Sequence, residues 1–163
     1  MPGNLMPACG RPQVWIRGER VSLCPVCEQG SLLKFRVVNT QRYLRCDVCQ
    51  ATVMDASCRL SPEQERDIYQ LHDNDPSDAG YRKFLSKLTE PLLERLPPGA
   101  SGLDFGCGPG PALAQMLEAE GMDVSLYDPY FYSSTSVLDQ TYDFITCTEV
   151  VEHLYAPAAV FRD

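Results

Sequence analysis

Residues 102–110 read Gly-Leu-Asp-Phe-Gly-Cys-Gly-Pro-Gly, and this glycine-rich turn limits the possible folds of the chain more than any other segment. The turn follows a predicted strand, Ser101–Phe105, and precedes a predicted helix, Pro111–Glu120. It contains three alternating glycines, Gly106, Gly108 and Gly110. Because glycine has no side chain, the backbone can turn sharply here and approach a ligand closely, and the N–H groups that open the helix can face the ligand's polar end. This arrangement predicts a nucleotide or cofactor site.

Strands and helices alternate after the turn. A second strand is predicted at Asp123–Tyr127 and another at Tyr142–Cys147. The start of a helix is predicted at Val150–Phe161, and Pro157 either ends or restarts that helix. Alternation of this kind gives an α/β fold in which helices cover a parallel sheet.

Two further helices are predicted before the turn. The first begins at Pro62 and runs to about His72, and the second begins at Ser77 or Asp78. Apolar residues recur at helical spacing in the second segment, so one of its faces should pack against the sheet domain.

Two acidic residues accompany the turn. Asp104 lies two residues before Gly106, and Asp128 ends the second strand, 18 residues after Gly110. An acid at the end of the second strand can accept hydrogen bonds from both hydroxyls of a ribose. The glycines run G-x-G-x-G, which differs from the G-x-G-x-x-G of dinucleotide-binding folds.

The segment G-x-D-x-G-C-G-x-G resembles the first motif of the class I, Rossmann-like S-adenosylmethionine-dependent methyltransferases. Tyr142-Asp143 continues the resemblance, since these families carry an aromatic–Asp pair that enters the fourth strand. The resemblance implies S-adenosylmethionine as the cofactor, with Asp104 near its methionine part. The cofactor-binding residues are then Asp104, Gly106, Cys107, Gly108, Gly110, Asp128 and Glu149.

The segment Thr148–Leu154 looks like the E-V-x-E-H-x stretch of ubiquinone O-methyltransferases and of enzymes that methylate the 2′-hydroxyl at the ends of small RNAs. That resemblance implies a divalent cation, magnesium or manganese, at Glu149, Glu152 and His153, which one face of a helix would present together. In the alternative interpretation, Glu149 lines the cofactor pocket and His153 packs beneath it. No catalytic base is identified, and the candidates are Glu149, His153 and His72.

The resemblance departs from the family at two places. Only 13 residues separate Asp128 from Tyr142, so residues 136–138 are interpreted as a remnant of the third strand, and Asp139 is a candidate for contacting adenine. The sequence given ends at Asp163, before the last three of the family's seven strands. We therefore expect an incomplete half-sheet, which would come from a fragment or a truncated reading frame. Whether this chain is active as it stands is left open.

Four cysteines follow the pattern C-x2-C-x18-C-x2-C, and they are Cys24, Cys27, Cys46 and Cys49. Two pairs of thiolates make a closed tetrahedral zinc site, which is structural because no ligand position stays open. Two strands and a short turn are predicted within residues 32–45, and this hairpin would bring the pairs together. A module of this kind should unfold without its metal.

A zinc ribbon before a methyltransferase resembles the rRNA guanine methyltransferases, although their module usually includes a histidine and none stands near these cysteines. Residues 1–59 carry eight Lys/Arg and four Asp/Glu, whereas the whole chain has a net charge of −8. The total argues against general binding of nucleic acid. The basic front module could contact RNA or simply be a solvated surface, and the ribbon could also hold a protein or small-molecule substrate or brace the fold.

Four regions are predicted: a loose tail at 1–20, a zinc ribbon at 21–58, a helical linker or cap at 59–98, and an incomplete S-adenosylmethionine-binding domain at 99–163. No apolar stretch suits a membrane span or a signal peptide, so a cytoplasmic location is expected. The leading hypothesis is a methyltransferase whose acceptor is a small molecule or RNA. The alternative is a non-catalytic zinc-ribbon binding module with a remnant cofactor-binding half-domain.

Overall fold

The computed structural model describes residues 16–70 and 75–162. His72 and most of the predicted tail lie outside these ranges. The chain divides into two compact units, one formed by residues up to Glu63 together with those from Leu154 onward, and the other by Gln64–His153. Within the described ranges, no helix has both the length and the apolar character needed to cross a membrane.

The first unit is built on an antiparallel sheet with the strand order β1-β2-β3-β4. Its strands are β1 (Arg20–Leu23), β2 (Ser31–Val38), β3 (Gln41–Cys46) and β4 (Thr52–Met54). The predicted hairpin is confirmed as β2 and β3. The two residues that join them, Asn39 and Thr40, both have positive φ, of 47° and 71°. A tight turn of this handedness matches the twist of the two strands.

The core of this unit is small. Its buried members are Cys24, Leu32, Leu44 and Cys46. Residues after Leu154 also contact the loop between β1 and β2: Ala158 N donates a 3.1 Å hydrogen bond to Pro25 O. Arg162 also holds the exposed carboxylate of Glu28, with one N–O distance of 2.9 Å. So few apolar residues are insufficient to stabilise a domain of this size without another source of binding energy.

Three helices belong to the second unit or enter it: α1 (Pro62–Gln70), α2 (Ala79–Leu93) and α3 (Ala112–Ala119). The predicted start of α2 is confirmed, because the Asp78 side chain caps it by accepting a 2.6 Å hydrogen bond from Tyr81 N. Pro91 lies inside α2, in its last turn, so the N–H that proline lacks leaves the middle of the helix intact. Leu85 of α2 is buried with Leu113 and Leu117 of α3.

A parallel sheet of three strands completes the second unit. It contains β5 (Ser101–Phe105), β6 (Asp123–Tyr127) and β7 (Phe144–Thr146), in the order β6-β5-β7. Both neighbours pair with β5 in parallel. The side chains of Val124 and Phe144 pack with residues of α2 and α3 in one buried cluster. The molecule is thus a mixed α/β structure with a parallel and an antiparallel sheet.

Two predicted elements are wrong. The expected strand remnant at 136–138 lies inside a 3-10 helix, Thr135–Asp139. The expected helix start at Val150 is instead a 3-10 turn, Val151–His153, whereas the restart at Pro157 is confirmed by a short helix, Pro157–Val160. Proline has no N–H to donate to a preceding turn, so it suits the first position of a helix and not its interior.

Candidate functional site

The carboxyl end of β5 is where the chain changes direction across the parallel sheet. After β5 the chain forms β6 on one side, and later β7 on the other side. The loops that follow β5 and its neighbours therefore separate and leave a crevice at this edge. Ligands of open α/β sheets bind at such switch points.

The glycine turn lies directly at this crevice. Gly106 and Gly108 have φ values of 78° and 67°, which side chains disfavour. The N–H groups of Gly106 and Cys107 both donate to Tyr127 O, at 2.7 and 3.2 Å, so the turn is fixed to the end of β6. A Cβ atom on Gly106 would lie 2.4 Å from Cγ2 of Val150. The turn therefore requires glycine at position 106 for both its backbone angle and its packing.

Helix α3 begins immediately after the turn. Gly110 accepts a 2.8 Å hydrogen bond from Ala112 N, and no side chain in the described part of the molecule caps the N-terminus of α3. The N–H groups of its first turn, with the partial positive charge of the helix end, can therefore face a polar ligand.

Asp104 lies near the end of β5 and is 3% exposed. Burial raises its pKa to about 6, while a hydrogen bond from the Thr146 hydroxyl opposes this increase. The Oγ1–Oδ1 distance of that bond is 2.8 Å. A buried carboxyl group with few donors around it is poorly solvated when ionised, so a ligand cation placed beside it would stabilise the charged form.

Asp128 connects the loops that follow β5 and β6. Its Oδ2 atom accepts a 3.1 Å hydrogen bond from Gly108 N. Its Oδ1 atom accepts from Tyr130 N at 2.8 Å and from Phe131 N at 3.1 Å. A carboxylate oxygen accepts about two hydrogen bonds. Only Oδ2 therefore keeps an accessible acceptor position, so the predicted pair of ribose hydroxyls would need at least one of these contacts to shift.

The prediction that one helical face presents Glu149, Glu152 and His153 together is wrong, while the divalent cation at these residues stays a prediction. Glu149 is exposed and has a φ of 56°, and the chain leaves β7 through this strained residue into the 3-10 turn. The His153 ring packs edge-on against Tyr69, with ring centroids 5.6 Å apart. In residues 16–70 and 75–162, the group of acids, histidines or cysteines placed to hold a metal is the four cysteines, and these three residues are not part of it.

Three further side chains belong to the crevice, and two of them, Thr146 and Thr148, were not assigned a site role from the sequence. Tyr81 of α2 is half-buried, and its pKa is raised by burial and then by the negative charges of Asp104 and Glu149. Thr146 binds Asp104, as described above. The Oγ1 atom of Thr148 is buried and has no hydrogen-bond partner in the described structure. A polar residue at the end of an apolar strand is the signal that could have identified the two threonines.

Cys107 in the glycine turn is a neutral thiol. Its pKa is raised to about 12 by burial and by the charges of Asp104 and Asp128. Because the thiolate is the reactive form of cysteine, this residue is suited to fill space in the turn and not to act as a nucleophile.

The four cysteines of the antiparallel unit have the geometry of a metal centre. Their sulfur atoms all lie within 4.8 Å of one another. The distance from Cys24 Sγ to Cys49 Sγ is 3.8 Å, and that from Cys27 Sγ to Cys46 Sγ is 3.7 Å. A tetrahedron with zinc–sulfur bonds of about 2.3 Å has edges of about 3.8 Å. A disulfide bond, at about 2.05 Å, is much shorter than either distance.

Backbone groups surround these sulfur atoms with donors. Cys24 Sγ accepts from Val26 N at 3.4 Å, and Cys46 Sγ accepts from Val48 N at the same distance. The two loops are also alike in backbone shape, because the residues that follow Cys27 and Cys49 both have positive φ. Donors of this kind stabilise thiolates, which are the metal-binding form of cysteine.

Without a cation, the four cysteines cannot all be ionised at the same time, because their thiolates repel one another. Backbone N–H groups of Gln29 and Gly30 lower the pKa of Cys27 to about 6. The N–H of Ala51 favours the Cys49 thiolate, but burial and the three neighbouring thiols outweigh it and raise the pKa of Cys49 to about 12. A divalent cation would remove this conflict by allowing all four sulfurs to be deprotonated. The residues therefore fit zinc.

The part of the chain that contains the crevice matches a family of known proteins. Residues 77–163, which are more than half of the chain, match the family described as methyltransferase domain. The match includes α2, the glycine turn and all three strands of the parallel sheet. No curated protein and no solved structure matches the chain.

Proposed function

The chain belongs to the methyltransferase domain family, and on this premise we propose that it binds S-adenosylmethionine in the crevice at the carboxyl end of β5 and transfers the cofactor's methyl group to an acceptor. The observation that carries the proposal is the meeting of the glycine turn, Asp104 and Asp128 at this one edge of the sheet. Both small molecules and RNA remain candidates for the methyl acceptor.

Each part of the crevice has a proposed role. The turn at Gly106–Gly110 allows the cofactor to approach the backbone, and Cys107 fills space within it. Asp104 favours the positive charges of the methionine part. Asp128 accepts from the ribose through the free position on Oδ2. Glu149, which follows β7, borders the pocket.

S-adenosylmethionine supplies a methyl group that is already activated by the sulfonium charge. The protein therefore contributes mainly by positioning the acceptor in line with that methyl group and by excluding water. Glu149 and His153 remain the candidates among the described residues for removing a proton from the acceptor, and His72 is a third candidate outside them. The contact of His153 with Tyr69 favours a packing role for this histidine.

We also propose a structural zinc ion at the four cysteines, within a zinc ribbon at residues 21–58. Residues 59–98 would form a helical cap, and residues 99–163 the cofactor domain. A thiolate site of this kind needs these four cysteines to be reduced.

Isothermal titration of the zinc-loaded chain with S-adenosylmethionine tests the proposed function. We expect saturable binding in the micromolar range that is weakened about tenfold or more by Asp128→Asn, because the amide loses the charge that the ribose hydroxyls and Gly108 N–H contact. Asp123→Asn is the matched control, because Asp123 lies at the exposed opposite end of the same strand. Absence of binding to the folded chain would contradict the proposal and favour the non-catalytic binding module.

A further inference from the structure

The antiparallel unit gathers three arginines around one phenylalanine. The guanidinium carbons of Arg17, Arg36 and Arg45 lie 5.6, 5.8 and 5.1 Å from the centroid of the Phe35 ring. We call these four side chains the arginine face. The electron-rich face of an aromatic ring attracts guanidinium groups at such distances, so the ring holds together three charges that would otherwise repel one another.

A β-bulge explains how neighbouring residues of β2 reach the same ring. Lys34 pairs with Leu44 of β3. Two residues further along β2, Arg36 pairs with Tyr43, the adjacent residue of β3. Phe35 is therefore the extra residue of a bulge, which bends the strand and re-aims side chains that would alternate between the two sides of a regular sheet.

The arginine face is not neutralised by acids. The ion pairs of this unit join Lys34 to Glu19, Arg42 to Asp55, Arg20 to Asp47 and Arg162 to Glu28. None in the described ranges joins an acid to an arginine of the arginine face. The Nε atom of Arg45 is buried there without a hydrogen-bond partner. A buried donor without an acceptor is costly, so an acceptor-rich ligand would be stabilised at this position.

An open cleft of about 590 Å³ lies on the arginine face. Its lining combines Arg17, Arg45 and Phe35 with Leu33, Cys46, the carboxylate of Asp47 and the amide of Gln50, and Arg36 is not part of it. This volume falls within the range of about 300–1,000 Å³ that is usual for sites of small ligands. The cleft thus offers cations, a stacking surface and hydrogen-bond acceptors in one place.

We propose that the arginine face binds single-stranded RNA. A phosphodiester supplies the acceptor oxygens that guanidinium groups require, and an unpaired base can stack on a guanidinium plane. Asp47 and Gln50 can accept a hydrogen bond from the ribose 2′-hydroxyl, which DNA lacks. An acidic peptide would pair with the arginines but place no flat base on their guanidinium planes, and a duplex keeps its bases inside.

Fluorescence anisotropy of a labelled, unstructured RNA of about 12 nucleotides, titrated with the zinc-loaded full chain, tests this proposal. We expect saturable binding at low salt. The double variant Arg17→Ala/Arg36→Ala removes two exposed cations, so it should weaken binding about tenfold or more and reduce the dependence of log K on log salt by about 1.4, the value for two phosphate contacts to a single strand. Phe35→Leu should weaken binding about fivefold without changing that slope, because the three arginines keep their charges but lose the ring that holds them together.

Arg66→Ala is the matched control, since Arg66 is an exposed arginine on α1 outside the arginine face, and RNA binding should be unaffected. Circular dichroism and zinc content verify that each variant is folded. Absence of saturable RNA binding, equal affinity for DNA of the same sequence, tighter binding of a glutamate-rich peptide, or equal weakening by Arg66→Ala would each overturn the proposal. Affinity for S-adenosylmethionine should be the same in all these variants, so the outcome is independent of the proposed methyltransferase function.

Discussion

The antiparallel and parallel sheets arrange their functional groups in opposite ways. In the antiparallel unit, four side chains of one residue type bring their sulfur atoms within 4.8 Å of one another. In the parallel unit, the crevice is formed mainly by backbone, and the acids Asp104 and Asp128 connect the strands and loops around it. The four cysteines enclose a site for a single ion, whereas the crevice of the parallel sheet is open on one side to a larger ligand.

This difference teaches how binding should relate to folding. Half of the small buried cluster of the antiparallel unit consists of cysteines, Cys24 and Cys46. The cluster of the parallel unit is apolar and includes Leu85, Leu117 and Phe144. We therefore expect the proposed zinc to be part of the fold of one unit, and the proposed cofactor to bind a site that the other unit forms without it.

The largest effect should follow removal of the metal. Cys46→Ser, or a strong chelator, should unfold the antiparallel unit, because the free energy of structural zinc binding, about 10 kcal/mol or more, is also its folding free energy. Zinc analysis should find one ion per wild-type chain, and amide hydrogen exchange should show loss of protection in β2 and β3. Cys147→Ser, a thiol outside the cluster, is the control. A metal-free chain that kept its protection would break the comparison.

Asp104→Asn should have a smaller effect than loss of the metal. It should make the ligand-free fold more stable and make cofactor binding weaker. The amide removes a buried charge, so the free energy of unfolding should increase by up to about 3 kcal/mol at pH 8, since burial raises the pKa of Asp104 to about 6. Affinity for S-adenosylmethionine should fall about 10- to 100-fold, because a charge-assisted contact is lost.

Chemical denaturation and calorimetric titration measure these two quantities for Asp104→Asn. Asp123→Asn should change neither. A variant that lost stability and affinity together would show that Asp104 supports the fold and not the cofactor.

The glycine turn should tolerate little change at one position. Gly106→Ala adds a Cβ only 2.4 Å from Val150 Cγ2 to a backbone with a φ of 78°. Gly121→Ala is a matched control, with a φ of 84° and no atom within 4 Å of the added Cβ. Thermal unfolding should show a loss of about 1 kcal/mol for the control and about 2–3 kcal/mol for Gly106→Ala. Equal losses would mean that the contact with Val150 is unimportant.

The smallest effect is a pH dependence of cofactor binding. In the ligand-free protein the Asp104 carboxyl is protonated below about pH 6. A bound cation favours the carboxylate, so affinity should rise about fivefold from pH 5 to pH 6, by about another twofold to pH 7, and level off above. The ligand-free fold should lose stability as the pH rises from about 4 to 6, because the unfolded carboxyl releases its proton first. Titrations across this range should show no such rise for Asp104→Asn.

Local patterns in the sequence predicted much of this structure. The bounds of β6 agree with the prediction at Asp123–Tyr127, and the hairpin of β2 and β3 follows from strands separated by a two-residue turn. The cysteine spacing predicted that the four sulfur atoms would meet. In each case the information lies within a few neighbouring residues.

The segment after β7 could not be predicted in this way. The sequence indicated a helix that starts at Val150, but Glu149 takes a positive φ and Val150 packs where Gly106 has no side chain. This contact joins residues that are far apart in the sequence. The hydrogen bond from Thr146 to Asp104 is also a contact between strands, so it has no local signal.

The central claim is that the crevice at β5 binds S-adenosylmethionine while the antiparallel unit does not. The most direct test is a titration of the ¹⁵N-labelled, zinc-loaded chain with S-adenosylhomocysteine, the unreactive product, monitored by amide chemical shifts. We expect saturable changes at Gly106, Cys107 and Gly108, with the amides of Leu32 and Leu44 unchanged. Changes confined to the antiparallel unit, or none at saturating concentration, would contradict the claim.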